Sequence, residues 1–295
     1  MNNKSIKYKT AIFPVAGFGS RFLPATKASP KEMLPIIDKP LIQYSVEDAY
    51  NSGIRHIIFV TGRNKRSIED HFDDNPELRR SLEIDKKDEL LKEINSIAPA
   101  DLKFTYVRQA NPKGLGHAIL CAQHLIFDDF FSIILPDDLL IQNPPSLYEM
   151  VKICEDRNAN VIAIRDVDKT IIHKYGVISS DNYSNELINV TDLVEKPKKE
   201  DAPSNLAVTG RYVLSKKIFK HLENHDNIPW MNTYKPMELM HIEHFFNLKM
   251  LNNCVIYYMY IYGIENVRGG IYSNITLNLN QYNEITRKIN EINDV

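Results

Sequence analysis

The sequence predicts an α/β protein with a mixed, mostly parallel sheet flanked by helices, and three observations carry that prediction. Short apolar runs recur along the first half, stretches of helical period separate them, and turn residues follow the runs. Beyond about Asn160, strand-like segments follow one another through polar turns, so the second half is the smaller, β-rich part.

Taken in order, Thr10-Ala11-Ile12-Phe13-Pro14-Val15 reads as the first buried strand, since an unbroken apolar run suits a strand covered on both faces. From Leu41 to Gly53, the residues Leu41, Ile42, Tyr44, Val46, Ala49 and Tyr50 recur at helical spacing, and Gly53 supplies a stop. His56 to Gly62 is the second strand. Pro76 to Ile97 is strongly charged with periodic Leu78, Leu82, Leu90, Leu91 and Ile94, which predicts a helical excursion on the surface. Phe104 to Arg108 reads as a strand, Gly114 to Ile126 as a helix, and Phe131 to Leu135 as a buried strand ending in Pro136-Asp137-Asp138. Further strands are expected at Val161–Val167, Tyr175–Ser179, Leu187–Glu195 and Leu206–Leu214. Without an internal repeat or a Gly/Ser-rich linker, residues 1–295 are expected to form one domain with halves 9–160 and 161–295.

Composition narrows the function classes. With 43% hydrophobic and 25% charged residues, the chain is an ordinary globular protein. Its 36 Lys and Arg against 38 Asp and Glu leave a formal charge of -2, so no global field holds a polyanion, and nucleic acid is not an expected partner. Cys121, Cys154 and Cys254 lack metal-ligand or redox spacing and read as reduced packing residues. The polar start from Met1 to Lys9 and the absence of a long apolar run predict a cytoplasmic protein with no membrane partner.

The chemistry starts where the first strand runs into Ala16-Gly17-Phe18-Gly19-Ser20-Arg21-Phe22-Leu23-Pro24. Ligands of α/β sheets bind beyond the carboxyl ends of strands, and closely spaced glycines let backbone N–H groups approach phosphates. Phe22 stands where a dinucleotide fingerprint needs its third glycine, and no Gly-Lys-Ser/Thr follows as a P-loop requires. A Gly-x-Gly by itself also fits a plain tight turn. Arg21, with a fork suited to phosphate oxygens, and Lys31, in Pro30-Lys31-Glu32-Met33-Leu34-Pro35, supply the two cations a triphosphate calls for, although a lone lysine also fits a solvated surface. Asp137 at the end of its strand offers a hard oxygen ligand for Mg²⁺ on substrate phosphates, with a strand-end turn as the other reading; Asp138 is read as its neighbour. His117, at the start of a helix beside two glycines, is read as a capping or packing residue.

The string from Pro14 to Pro35 closely resembles that of bacterial UTP:glucose-1-phosphate uridylyltransferases. The resemblance continues through Lys39–Tyr44, Val107-Arg108-Gln109, Lys113–Ala118, Leu135-Pro136-Asp137, Tyr175-Gly176-Val177, Val194-Glu195-Lys196-Pro197 and Ala202–Ala207, and spans about Lys9 to Leu214. It implies a Rossmann-like nucleotide-diphospho-sugar transferase fold, with 9–160 as the nucleotide-binding half and 161–295 as the sugar-binding and oligomerisation half. It also implies Mg²⁺-dependent attack of glucose 1-phosphate on the α-phosphorus of UTP, giving UDP-glucose and pyrophosphate, by a homodimer or homotetramer. Carried over by motif, the Ala16–Gly17 backbone, Gln109 and Gly114 would read uracil and ribose. Arg21 and Lys31 would hold UTP phosphates, Asp137 the metal, Gly176 and Glu195 the glucose hydroxyls, and Lys196 the sugar phosphate.

The pattern departs in the last third. Where the family carries Gln-Leu-Thr-Asp on a helix, this chain reads Glu238-Leu239-Met240-His241, and where the second metal aspartate belongs it reads Asn266-Val267-Arg268-Gly269. Valine cannot coordinate Mg²⁺. Either Glu265 or Asn266 takes the place of Val267, or Asp137 and phosphates alone hold the ion, or the chain is a non-catalytic regulatory paralogue that binds nucleotide sugar and associates with an active enzyme. Thirteen asparagines and seven tyrosines from Asn224 onward are compatible with relaxed constraint. Use of dTTP or another sugar phosphate is a further alternative, less well matched by Glu195-Lys196-Pro197.

Overall fold

The computed structural model describes residues 6–140, 145–180 and 187–223, together with the backbone alone of Arg21 and of 238–241. The chain separates into two compact units, residues 1–35 with 40–243, and residues 36–39 with 244–295. Glu265, Asn266, Val267 and Cys254 lie outside the described residues.

In chain order the strands are β1 (Thr10–Pro14), β2 (Pro35–Ile36), β3 (Lys39–Pro40), β4 (His56–Thr61), β5 (Lys103–Arg108), β6 (Phe130–Ile134), β7 (Val161–Asp166), β8 (Gly176–Ser179), β9 (Leu187–Ile188), β10 (Asp192–Glu195), β11 (Leu206–Ser215) and β12 (Glu238–His241). The helices are α1 (Leu41–Asn51), α2 (Arg66–Phe72), α3 (Pro76–Ile84), α4 (Asp88–Ile97), α5 (Leu115–Cys121), α6 (Ser146–Arg157) and α7 (Ile218–Glu223). The surface excursion is two helices because Asp85–Lys87 interrupts it, with Lys86 left-handed at φ 53. The segment expected as one strand from Leu187 to Glu195 is likewise split into β9 and β10. Glu238–His241 is a strand beside β7, not the helix that the family pattern places there.

Ten of these strands form one sheet in the order β5-β4-β1-β6-β11-β7-β12-β9, with β8 on β11 and β10 on β8. The first four are mutually parallel, as their apolar runs predict. β11 enters antiparallel between β6 and β7, and its register against β7 slips between Val208 and Tyr212. That irregularity falls at Thr209-Gly210-Arg211, beside the end of β6, where Arg211 pairs with Ile134.

Period-two alternation loads both faces. Ile12, Ile58 and Ile133 share a core with Ala118 and Ile119 of α5 and with Ile218 and Phe219 of α7. Phe13 and Phe59 face the other way, where Phe59 stacks on Phe72 of α2 at 5.3 Å between ring centroids. Each fully buried side chain of this kind contributes about 1.5–3 kcal/mol, so the central strands form a stiff base for the loops at their carboxyl ends. Cys154 is buried and Cys121 half-buried; burial pushes the Cys154 thiol up to about 12, consistent with a packing role.

Candidate active site

The loops after β1, β4, β5 and β6 converge because those strands are adjacent and parallel. The Val15 N–H donates to the Val60 carbonyl at 2.9 Å, which holds the start of the glycine-rich loop against β4. Gly62 lets the two loops touch, since a Cβ there would lie 2.9 Å from the Ala16 carbonyl oxygen. Among the described residues nothing lies within 4 Å of where a Cβ on Gly17 would be, so its backbone is open on that side. Gly19 is left-handed at φ +65, and its carbonyl accepts from the Thr26 hydroxyl at 2.8 Å. Arg21 lies in the short turn Ser20–Phe22 that Gly19 opens.

The sequence-predicted Lys31 and Asp137 are brought together. Lys31 Nζ lies 2.6 Å from Asp137 Oδ2, joining the turn Lys31–Met33 to the end of β6 across 106 residues of sequence. With side chains 21% and 48% exposed, both can still be reached from solvent. At the next residue along the same turn, the Glu32 carboxylate meets the Lys65 ammonium at 2.7 Å, and both groups are buried.

Asp138 turns inward. Burial, then the Asp137 charge beside it, raises its carboxyl above the usual carboxylate range, while Arg211 and Arg165 oppose the shift. Arg211, fully buried at the bulge of β11, donates from Nη1 to the carbonyls of Leu135 and Gly210, each at 3.2 Å, and lies 3.4 Å from Asp48 of α1. The Leu135 N–H donates to the Gly210 carbonyl at 2.8 Å, so the turn that presents Asp137 is fastened to the bulge by backbone as well.

Gln109 directly follows β5, its N–H donating to the Thr61 carbonyl at 2.8 Å. Its side-chain Nε2 donates to the Gly114 carbonyl at 3.1 Å and lies 2.9 Å from His117 Nδ1. The His117 expected only to cap or pack therefore touches a predicted site residue.

Gly176 and Glu195 are directly opposite in the β8–β10 pairing, and the Lys196 N–H donates to the Tyr175 carbonyl at 2.9 Å. Lys196 is left-handed at φ 47, with Nζ 3.0 Å from Glu195 Oε1. The phenol of Tyr212 feels the charge of both clusters. It is buried and held far above the usual tyrosine range, first by burial and then by the charges of Asp138, Glu195 and Asp137.

Glu32, Lys65, Gly62, Gly210, Arg211 and Tyr212 went unread as contributors to the site. Gly62, directly after a strand, is the one that a strand-end glycine signal could have found. Among the described residues no group of three or more His, Cys, Asp or Glu forms a metal cluster, and no helix is long and apolar enough to cross a membrane.

A mixed, mostly parallel α/β sheet with a glycine-rich loop, a lysine and a carboxylate beyond the carboxyl ends of its central strands defines a nucleotide-binding enzyme class. The nucleotidyl transferase family profile matches residues 10–237. UTP--glucose-1-phosphate uridylyltransferase YngB of Bacillus subtilis (strain 168) is 49% identical over 218 residues, covering 74% of this chain and 73% of that protein. A Pseudomonas aeruginosa protein of the same activity name is 48% identical over 217 residues, 73% of this chain and 77% of its own. Among solved structures, UDP-glucose pyrophosphorylase from Acinetobacter baumannii superposes with a TM-score of 0.76 at 40% identity, covering 80% of this chain and 86% of that one. A UDP-glucose pyrophosphorylase complexed with UDP-glucose gives 0.71 at 41% identity, with coverages of 80% and 91%. The chain belongs to the nucleotidyl transferase family, in its group of UTP–glucose-1-phosphate uridylyltransferases.

Proposed function

We propose that this protein is an enzyme that converts UTP and glucose 1-phosphate into UDP-glucose and pyrophosphate. The observation that carries the reading is the Lys31–Asp137 pair at 2.6 Å beside the glycine-rich loop, in a chain 49% identical to a protein named for that activity. An oxygen of the sugar phosphate attacks the α-phosphorus of UTP, the bridge from the α- to the β-phosphorus breaks, and its electron pair leaves with pyrophosphate. The attacking phosphate is already ionised, so the protein's part is positioning and charge neutralisation.

Residues 9–160 hold the nucleotide. The open backbone at Gly17 admits a ligand to Ala16 and Gly17, while Gln109 and Gly114 face the base and ribose. Arg21 and Lys31 carry charge to the phosphates. Residues 161–295 serve the sugar and subunit contacts in a homodimer or homotetramer. Gly176 and Glu195, opposite in register, accept glucose hydroxyls, and Lys196 takes the sugar phosphate.

Mg²⁺ suits Asp137. The carboxylate is part-exposed and already accepts a cation, the Lys31 ammonium, and one carboxylate is enough for an ion bound mostly through phosphates and water. When bound, Mg²⁺ neutralises phosphate charge on the leaving pyrophosphate. Highly charged phosphate substrates also fit the expected cytoplasmic location.

Pyrophosphate release measured with UTP, glucose 1-phosphate and Mg²⁺ tests the reading. Turnover supports it. Absence of turnover alongside normal UDP-glucose binding overturns it in favour of a regulatory, non-catalytic paralogue.

A further inference from the structure

Gln109 is 6% exposed, yet one of its polar atoms is left over. The Gly114 carbonyl can only accept, so the amide nitrogen of Gln109, not its oxygen, must face it at 3.1 Å. The second amide hydrogen then points to His117 Nδ1 at 2.9 Å, which accepts only if the ring proton is on Nε2. Both donors are thereby used, and Oε1 takes no partner among the described residues. Gly114 holds its carbonyl there from a backbone at φ +95, which side-chain-bearing residues rarely adopt.

We propose that His117 is a positioning residue that fixes the flip state of the Gln109 amide, so that Oε1 is presented to a pyrimidine base carrying an imide N–H. The inference rests on Gln109 being a nucleobase contact. Uracil donates from N3–H to Oε1. Cytosine has a lone pair at N3, which would oppose that of Oε1, so the fixed amide selects UTP over CTP. Without the His117 acceptor, only Gly114 restrains the amide; it then samples the flipped state and discrimination falls.

The test is steady-state pyrophosphate release with UTP and with CTP for His117→Leu, His117→Asn, Gln109→Ala and the Gln109→Ala/His117→Leu double variant, each first checked by thermal melting. Losing one neutral hydrogen bond corresponds to about fivefold to tenfold. His117→Leu is expected to raise the UTP KM and to shrink the UTP/CTP preference by that factor, with kcat changing far less. His117→Asn, whose amide oxygen can stand where Nδ1 accepts, is expected to restore both, and the double variant to match Gln109→Ala. If His117→Leu does not fold, His117→Ser, too short to reach Nε2, takes its place.

If Gln109→Ala shifts KM and preference while the His117 variants shift neither, positioning by His117 is overturned and the base contact stands. A Gln109→Ala variant with wild-type KM and preference overturns the premise itself. A kcat loss in His117→Leu at unchanged KM also overturns the proposal, because it places His117 in the chemistry.

Discussion

Lys65 and Glu32 form an ion pair at 2.7 Å whose side chains are 5% and 1% exposed. The contact ties the residue before α2 to the turn Lys31–Met33, so a pair that never meets solvent fixes the backbone from which Lys31 projects. Glu32→Gln leaves the Lys65 charge buried without a counter-charge. Breaking one partner of such a pair costs about 3–5 kcal/mol, whereas an apolar replacement of both is often tolerated. Urea denaturation is expected to show that loss for Glu32→Gln and substantial recovery in Glu32→Leu/Lys65→Met. The double variant is still expected to turn over slowly, because its turn is no longer pinned. Wild-type stability in Glu32→Gln would contradict the assignment.

Lys31 and Asp137 make the opposite case, since their pair is part-exposed and contributes only about 0–1 kcal/mol. Lys31→Ala is therefore expected to melt within a few degrees of wild type and to lose about 10²–10³ in kcat, the cost of deleting one pre-set charge-stabilising group. Asp137→Asn is expected to abolish activity or its Mg²⁺ dependence. An unaltered metal titration would remove Asp137 from the metal site, and an unaltered rate in Lys31→Ala would do the same for Lys31 and the phosphates.

These two pairs also show what the sequence could and could not disclose. Lys31 and Asp137 are readable because each follows a local signal, a proline-framed motif or the end of an apolar run. Glu32 and Lys65 look like solvated charges, because isolated Glu and Lys are almost never fully buried and only packing reveals their partner. The four parallel strands are legible from their apolar runs, but the antiparallel entry of β11 is a long-range choice that local pattern does not encode. Helix α2 has only Ile68 and Phe72 buried, too few to give a period. Arg211 is the extreme instance: a charge at 0% exposure inside a strand, explained only by carbonyls and a carboxylate from three separate segments.

Two histidines set a pH dependence. Burial lowers His56 below its usual value, with Lys103 adding and Asp128 opposing, and burial alone lowers His71. His71 Nε2 donates to Gln43 Oε1 at 3.0 Å, because the Gln43 amide nitrogen is committed to Glu47. A lowered native pKa means that the unfolded chain takes up protons first as pH falls. Stability is therefore whole above about pH 6.5 and declines as pH drops through the lowered native values. In urea titrations at pH 7.5 and 5.5, His56→Gln/His71→Gln is expected to lose less stability on acidification than wild type. Parallel losses would show that other groups govern this window.

Gly210 and Gly17 should respond to the same substitution in opposite ways. A Cβ on Gly210 would lie 2.6 Å from Leu135 Cβ and 2.7 Å from Asp138 Oδ2. Leu135 cannot retreat easily, because its N–H is bonded to the Gly210 carbonyl at 2.8 Å. The Leu135–Asp138 turn must shift, and Asp137 shifts with it. Gly210→Ala is expected to destabilise by about 1–3 kcal/mol, as overpacking does, and to lower kcat through the displaced carboxylate. At Gly17 an added methyl meets nothing within 4 Å among the described residues, so their packing leaves room for it. If the nucleotide approaches that backbone, Gly17→Ala raises the UTP KM while the melting temperature stays unchanged. Thermal melting and UTP kinetics on the two variants separate the effects: a Gly210→Ala protein that melts like wild type would mean the turn yields freely, and a Gly17→Ala protein with unchanged KM would put the nucleotide elsewhere.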